Sequence, residues 1–362
     1  MINTFDPDLQ PIAEKVEAKE RLSFEDGLIL DATPDLLALG SMANVVRERL
    51  NADKTYYITN RHINHTNVCV NSCRFCAFSK KEDEAGAYAM ELETVLSEAH
   101  KYDGQKFSEF HIVGGLHPSL PYSYYVDMIA RLSDEFPHVH LQAYTAVEIA
   151  YFSKISGMTI RQVLVDLKEA GLGSLPGGGA EIFADRVRKK ICPEKIDADT
   201  WLKTHKTAHK VGLNTNATML YGHIESGEDR VDHLIQLREA QDQTGGFLTF
   251  IPLAFHPENT KYEDRPRTSG MMDLRMISMA RLMLDNFPHI KAFWIMIGEK
   301  LAQISLSFGA DDLDGTVVEE KITHAAGAKT DQGMARERLE GLIREAGRTP
   351  VERDTVYNIV GV

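Results

Sequence analysis

Three cysteines, Cys69, Cys73 and Cys76, fall close together in the stretch Asn64-His65-Thr66-Asn67-Val68-Cys69-Val70-Asn71-Ser72-Cys73-Arg74-Phe75-Cys76-Ala77-Phe78. Thiolates suit iron–sulfur clusters, zinc and Cu(I), so the number and spacing of ligands must decide among them. A structural zinc ion takes four ligands in a closed site. The only other cysteine, Cys192, lies more than a hundred positions away, beside Pro193, where it reads as a small buried residue. Three thiolates without a near fourth fit a 4Fe–4S cluster that leaves one iron open. His62 or His65 completing a Cys3His zinc site is the alternative, and the aromatic Phe75 just before Cys76 favours the cluster.

Such ligands need a scaffold that brings them to one place. From residue 56 onward strand-like and helix-like segments alternate. Strands are expected at 56–64, 109–114, 139–145, 172–175, 213–221, 247–255 and 290–297, with a weaker one at 304–308. Helical periodicity lies between them, at 91–102, 122–136, 160–170, 198–211, 230–244 and 272–287. This alternation predicts an α/β fold with a parallel sheet and right-handed crossovers. Seven or eight units, with no G-x-G-x-x-G opening the first, fit a complete or partial TIM-like (β/α) barrel. In a barrel, chemistry sits beyond the strand C-termini, and the cysteines directly follow the first strand. The expected division is an N-terminal helical cap over 1–54, a barrel over 55–308 and a C-terminal extension over 309–362 packed on it. Asp311-Asp312-Leu313-Asp314-Gly315 reads as a short loop that lacks the ligand pattern of a calcium-binding EF-hand.

Other strand ends carry candidate site residues, each with a plainer reading. Gly114 and Gly115 let a ligand approach the backbone, or simply turn the chain. Glu148, at the third strand tip, can bind a hydroxyl or an ammonium, or be a solvated charge. Gly177, Gly178 and Gly179 offer backbone N–H groups to an anion, or form a hinge. Glu181 and Arg188 share a face if their segment is helical. Asn214, Asn216 and Thr218 share one face of a strand and would point into a lumen. His256, before Pro257, is a candidate proton donor or carboxylate partner, or a structural histidine. His324 is a further candidate, and Trp294 and Met296 read as packing.

The C-x3-C-x-aromatic-C pattern resembles the signature of the radical S-adenosylmethionine (SAM) enzymes. That resemblance implies a 4Fe–4S cluster whose open iron chelates the amino and carboxylate groups of SAM, and whose electron cleaves the sulfonium to a 5′-deoxyadenosyl radical. It further implies that Gly114 and Gly115 contact the methionine amino group, that Arg188 holds its carboxylate, and that Tyr221 opens an adenine-contacting segment. With Phe75, Glu148, Glu181 and Asn216 these form the expected cofactor set. The blocks at 61–64, 69–78, 174–183, 216–225 and 255–260 also resemble, in order and wording, the aminofutalosine synthases of the futalosine route to menaquinone. This implies a dicarboxylate enol-ether substrate, 3-[(1-carboxyvinyl)oxy]benzoate. The adenosyl radical would add to it, with rearrangement and loss of bicarbonate, giving 6-amino-6-deoxyfutalosine and methionine. Expected anchors for the two carboxylates are Arg61, His62, His65 and the Gly177–Gly179 loop, with His256 beside them. A flavodoxin- or ferredoxin-type protein would donate the electron. Cyclic dehypoxanthine futalosine synthase and a deazaflavin-cofactor synthase subunit are the near alternatives, and a Cys3His zinc-binding interaction protein is the alternative of another class.

Bulk properties agree with an enzyme of this kind. Forty basic residues against 53 acidic give a net charge of −13, which disfavours broad binding to nucleic acid or an anionic membrane. Four cysteines make no disulfide framework. Residues 1–10 carry no secretory pattern, and the most apolar run, 292–297, is too short to span a bilayer. The expected location is the cytoplasm.

Overall fold

The computed structural model describes residues 3–101 and 106–360, so Tyr102, the last residue of the helix expected over 91–102, lies outside the described residues. The chain opens with three helices, α1 (Gln10–Ala18), α2 (Phe24–Ala32) and α3 (Leu36–Asn51). Ser23 and Asp26 form a reciprocal capping box at the start of α2, and the Asp35 carboxylate caps α3, so the helices begin where side chains satisfy the free N–H groups. Their buried faces pack on the barrel's outer helices, α2 on Gly227–Thr244 and α3 on Gly270–Met283.

The strands follow in the order β1 (Lys54–Ile58), β2 (Asn60–Ile63), β3 (Glu109–Ile112), β4 (His140–Ala143), β5 (Ser174–Leu175), β6 (Asn214–Tyr221), β7 (Phe247–Ala254), β8 (His289–Ile290), β9 (Asp312–Gly315) and β10 (Thr349–Glu352). β2 through β8 form one seven-stranded parallel sheet in sequence order, while β1 lies between β10 and β9 in a second sheet. The large sheet is a curled partial TIM-like barrel with helices on its outer face. Residues 311–318 bridge its two edges. Asp311 N donates to Ile290 O and Ala292 N to Asp312 O on one side; Val318 N donates to Asn60 O and His62 N to Val318 O on the other.

Three expectations are corrected here. The first expected strand is two, β1 and β2, which belong to different sheets. Residues 294–297 form a short helix, and 304–308 finish the helix Glu299–Ser305 and turn instead of adding a strand. The closing strand is instead the acidic run read as a loop. Its carboxylates are neutralised by groups distant in sequence: Asp311 by Arg281 and His289, Asp312 by Arg353, and Asp314 by Lys291. Buried charges persist only when paired in this way.

Candidate functional site

β2 delivers the cysteines. Directly after it, the chain folds into a loop held on both flanks. Cys69 N donates to Lys80 O at 3.0 Å, and Lys80 N to Asn67 O at 2.9 Å. Lys81 Nζ donates to the carbonyls of Cys69, Val70 and Asn71. The extension of β3 grips the same loop through Gly115 N to Thr66 O and Val70 N to Leu116 O, both 2.9 Å. Gly115 is required for that approach: a Cβ there would lie 2.1 Å from Val68 O. Arg74 N reaches across to Ile191 O at 2.8 Å, so the loop spans the mouth of the barrel toward the β5 side.

Beneath it lies a chamber of about 360 Å³, lined by all three cysteines, by strand ends and by residues of the C-terminal segment. Of the expected site residues, His62, Phe75, Gly114, Gly115, Glu148, Gly177, Gly178, Gly179, Glu181, Asn216 and His256 all face it. Gly177 permits a close approach, because a Cβ there would meet the backbone of Asn216 and Ala217 at 2.8 Å. The Glu148 carboxylate accepts from Gly114 N at 3.1 Å and Thr145 N at 2.7 Å, and burial pushes its pKa up to about 7. Glu181 pairs with Lys195 at 2.6 Å, and that ammonium lies 5.1 Å above the Phe75 ring.

Five of the candidate residues lie elsewhere, two of them through strand alternation. His62 points in, so Arg61 points out, fully buried with Glu98 at 3.2 Å and Glu319 at 3.0 Å. Asn216, Thr218 and Leu220 point in, so Tyr221 points out and donates to Asp273 Oδ1 at 2.8 Å. His65 is packed among the rings of Tyr124, Tyr125 and Tyr144, where burial pushes its pKa down to about 3. Arg188 donates to the carbonyls of Ala180, Ile182 and Ile196. It ties the loop after β5 together and lies outside the chamber's lining. His256 faces the chamber with the polarity opposite to a donor's. Its Nε2–H donates to Met296 O at 2.9 Å, so Nδ1 is left as an acceptor, buried and without a partner among the described residues. His324 pairs with Glu320 at 2.7 Å, outside the lining.

Sequence reading missed Lys195, Glu109, His111, Gln142, Lys291, Asp314 and Glu320, all of which line the chamber. A signal for two of them lay in the strand phase. His62, His111 and Gln142 stand in register across β2, β3 and β4, and the two imidazoles stack at 4.6 Å.

Comparison with known proteins decides the family. Residues 63–237 match the model of the radical SAM superfamily and residues 244–362 that of the CofH/MqnC C-terminal region. Over 361 residues the chain is 49% identical to the aminodeoxyfutalosine synthase of Thermus thermophilus, covering 99% of this chain and 97% of that protein. The chain belongs to the radical SAM superfamily. It is also 40% identical to the 5-amino-6-(D-ribitylamino)uracil–L-tyrosine 4-hydroxyphenyl transferase of Methanopyrus kandleri, covering 98% of this chain and 99% of that protein. Its fold matches the crystal structure of methylornithine synthase (PylB), with a TM-score of 0.76 at 18% identity over 94% of this chain and 97% of that one.

Radical SAM enzymes work with a 4Fe–4S cluster and SAM, and the residues present fit such a group. Cys69, Cys73 and Cys76 are free, half-buried thiols on one chamber. Burial pushes the Cys73 thiol up to about 12; a bound cluster would supply the positive charge that holds it as thiolate. Cys192 is buried outside the lining. Of the histidines considered for a zinc site, His65 is walled in by tyrosines and His62 stacks on His111. No helix of the described residues is long and apolar enough to cross a membrane.

Proposed function

We propose that this radical SAM enzyme is an aminodeoxyfutalosine synthase. It joins the 5′-deoxyadenosyl group of SAM to 3-[(1-carboxyvinyl)oxy]benzoate with water taken up, and releases 6-amino-6-deoxyfutalosine, methionine and bicarbonate in menaquinone biosynthesis. The observation that carries this reading is the near-end-to-end identity with a relative of that name. Cys69, Cys73 and Cys76 hold the cluster, which when bound supplies the electron that generates the adenosyl radical. Gly114, Gly115, Glu148, Glu181 and Asn216 receive SAM beside Phe75. The backbone at Gly177, Gly178 and Gly179, with His62 and His256, faces the substrate. A loop that covers the mouth keeps water from a reactive radical. The electron comes from a flavodoxin- or ferredoxin-type donor, and the enzyme acts in the cytoplasm.

The test is a choice of substrate. Reconstituted enzyme with SAM and a strong reductant is offered, separately, the enol-ether benzoate, dehypoxanthine futalosine, and 5-amino-6-(D-ribitylamino)uracil with tyrosine. Substrate-dependent methionine release with the first alone is the expected result. Turnover of the third pair instead would assign the chain to the transferase reading that its 40% identical relative favours. Turnover of the second, with free 5′-deoxyadenosine, would assign it to the cyclic dehypoxanthine futalosine synthases.

A further inference from the structure

The chamber holds two cationic side chains among the described residues, Lys195 and Lys291, and no arginine. Lys195 belongs to the cysteine wall, paired with Glu181 above Phe75. Lys291 lies apart from it, one residue beyond β8, and its backbone N–H donates to Phe250 O. β7 runs four residues further, to Ala254, so Lys291 lies roughly 13 Å below that strand's end at 3.3 Å per residue. It is on the floor of the lumen. Its ammonium contacts Asp314 Oδ1 at 2.7 Å, with both side chains 8% exposed. An ammonium has three N–H donors, and Asp314 takes one.

Asp314 stands in the left-handed region, at φ 68°. A residue with a side chain is held there at a cost, and such strain gathers at functional sites. Of the other lumen carboxylates, Glu181 pairs with Lys195, Glu148 accepts from two backbone N–H groups, Glu320 is held by His324 and by Thr323 N, and Glu109 lies 3.8 Å from His111 Nδ1 and within the field of Lys291. Lys291 is the one lysine or arginine on the floor among the described residues, and it lines the chamber.

The geometry points to Lys291 as the residue that binds the substrate's ring carboxylate, with Asp314 as the positioning residue that holds the ammonium toward the lumen. This rests on the proposed function. In that reaction the enol-ether carbon meets the adenosyl group near the cysteines, which sends the benzoate end to the floor. His62, stacked on His111 beside this pair and kept neutral chiefly by burial, walls the ring without adding charge.

The test compares Lys291→Met, Lys291→Arg and the wild type by equilibrium binding and by KM. The ligands are the enol-ether benzoate and 2-phenoxyacrylate, which lacks the ring carboxylate. Loss of a charge-assisted hydrogen bond weakens binding by roughly 10- to 100-fold. The expected result is a loss of that size for Lys291→Met with the benzoate only, little change with 2-phenoxyacrylate, and recovery in Lys291→Arg. Should the single variant fail to fold with Asp314 unpaired, the double variant K291M/D314L, which leaves no orphan charge, carries the same comparison. Equal losses on both ligands, or none, would overturn the assignment. Wild-type protein that binds the benzoate through Lys291 without converting it would sink the proposed reaction and leave the anchor standing. Wild-type protein that neither binds nor converts it would sink both.

Discussion

Replacing Gly115 by alanine should dislodge the cysteine loop. The added Cβ would lie 2.1 Å from Val68 O, 2.7 Å from Val68 C and 3.1 Å from Cys69 Cβ. Carbon–oxygen contacts begin near about 3.3 Å, so backbone must separate from backbone by roughly 1.2 Å. A flexible side chain could absorb such an overlap; a peptide carbonyl cannot. The two bonds that join this edge to the loop, Gly115 N to Thr66 O and Val70 N to Leu116 O, are both 2.9 Å. Opened by that much they pass beyond hydrogen-bonding distance. Two such bonds at about 1 kcal/mol each, with an overpacking cost of about 1–3 kcal/mol, give a loss of about 3–5 kcal/mol. The assays are denaturant unfolding of metal-free protein and iron bound per chain after anaerobic reconstitution. Gly114→Ala is the comparison: its Cβ would meet the walled-in His65 ring at 2.6 Å and not the backbone of the cysteine loop, so it should lose stability yet keep more of its iron. Metal-free Gly115→Ala protein within about 0.5 kcal/mol of wild type, with full iron, would refute the reasoning.

The other expectations are briefer. Alanine at Cys69, Cys73 or Cys76 should abolish iron uptake, while Cys192→Ala, in the core, should keep it; equal iron loss in all four would remove the distinction. Asp311→Asn should cost about 3–5 kcal/mol in unfolding experiments, because it strips a buried carboxylate from Arg281 and His289. An Arg281→Met/Asp311→Leu double variant should recover much of that loss, and additive losses would contradict the pairing. Both ring nitrogens of His324 face acceptors, Glu320 Oε2 at 2.7 Å and Thr330 O at 2.8 Å. The Glu320 hydrogen bond in particular raises its pKa above the ordinary 6.5. Its contribution is therefore full below pH 6.5 and lost as pH rises through the raised value. Melting of wild-type protein should fall more than that of His324→Gln between about pH 6 and about pH 9, and parallel curves would count against the imidazolium.

The cluster loop and most of the barrel were legible in the sequence, because spacing of thiolates and alternation of apolar segments are local signals. What escaped is long-range. Asp311, Asp312 and Asp314 look like a solvated turn until Arg281, Lys291 and Arg353 come to meet them across the seam of the barrel. Arg61 and His62 are neighbours of which only one can face the lumen, and the phase is set by pairing with β3, not by residue type. Arg188 and Tyr221 were read by resemblance as ligand contacts, yet the backbone carbonyls of a glycine-rich loop and a buried Asp273 claim them first. Lys291 fell inside the segment expected as the strand 290–297, and a lysine in a strand is ordinary until that strand is known to line a chamber.

The most direct test of the proposed reaction uses SAM labelled with carbon-13 in its ribose, with the enol-ether benzoate and a strong reductant, under exclusion of oxygen. The expected result is a product that carries the entire ribose label joined to the benzoate skeleton, lighter by one carboxyl group, with one methionine for each product molecule. Label recovered wholly as 5′-deoxyadenosine, with the benzoate unchanged, would contradict adenosyl addition.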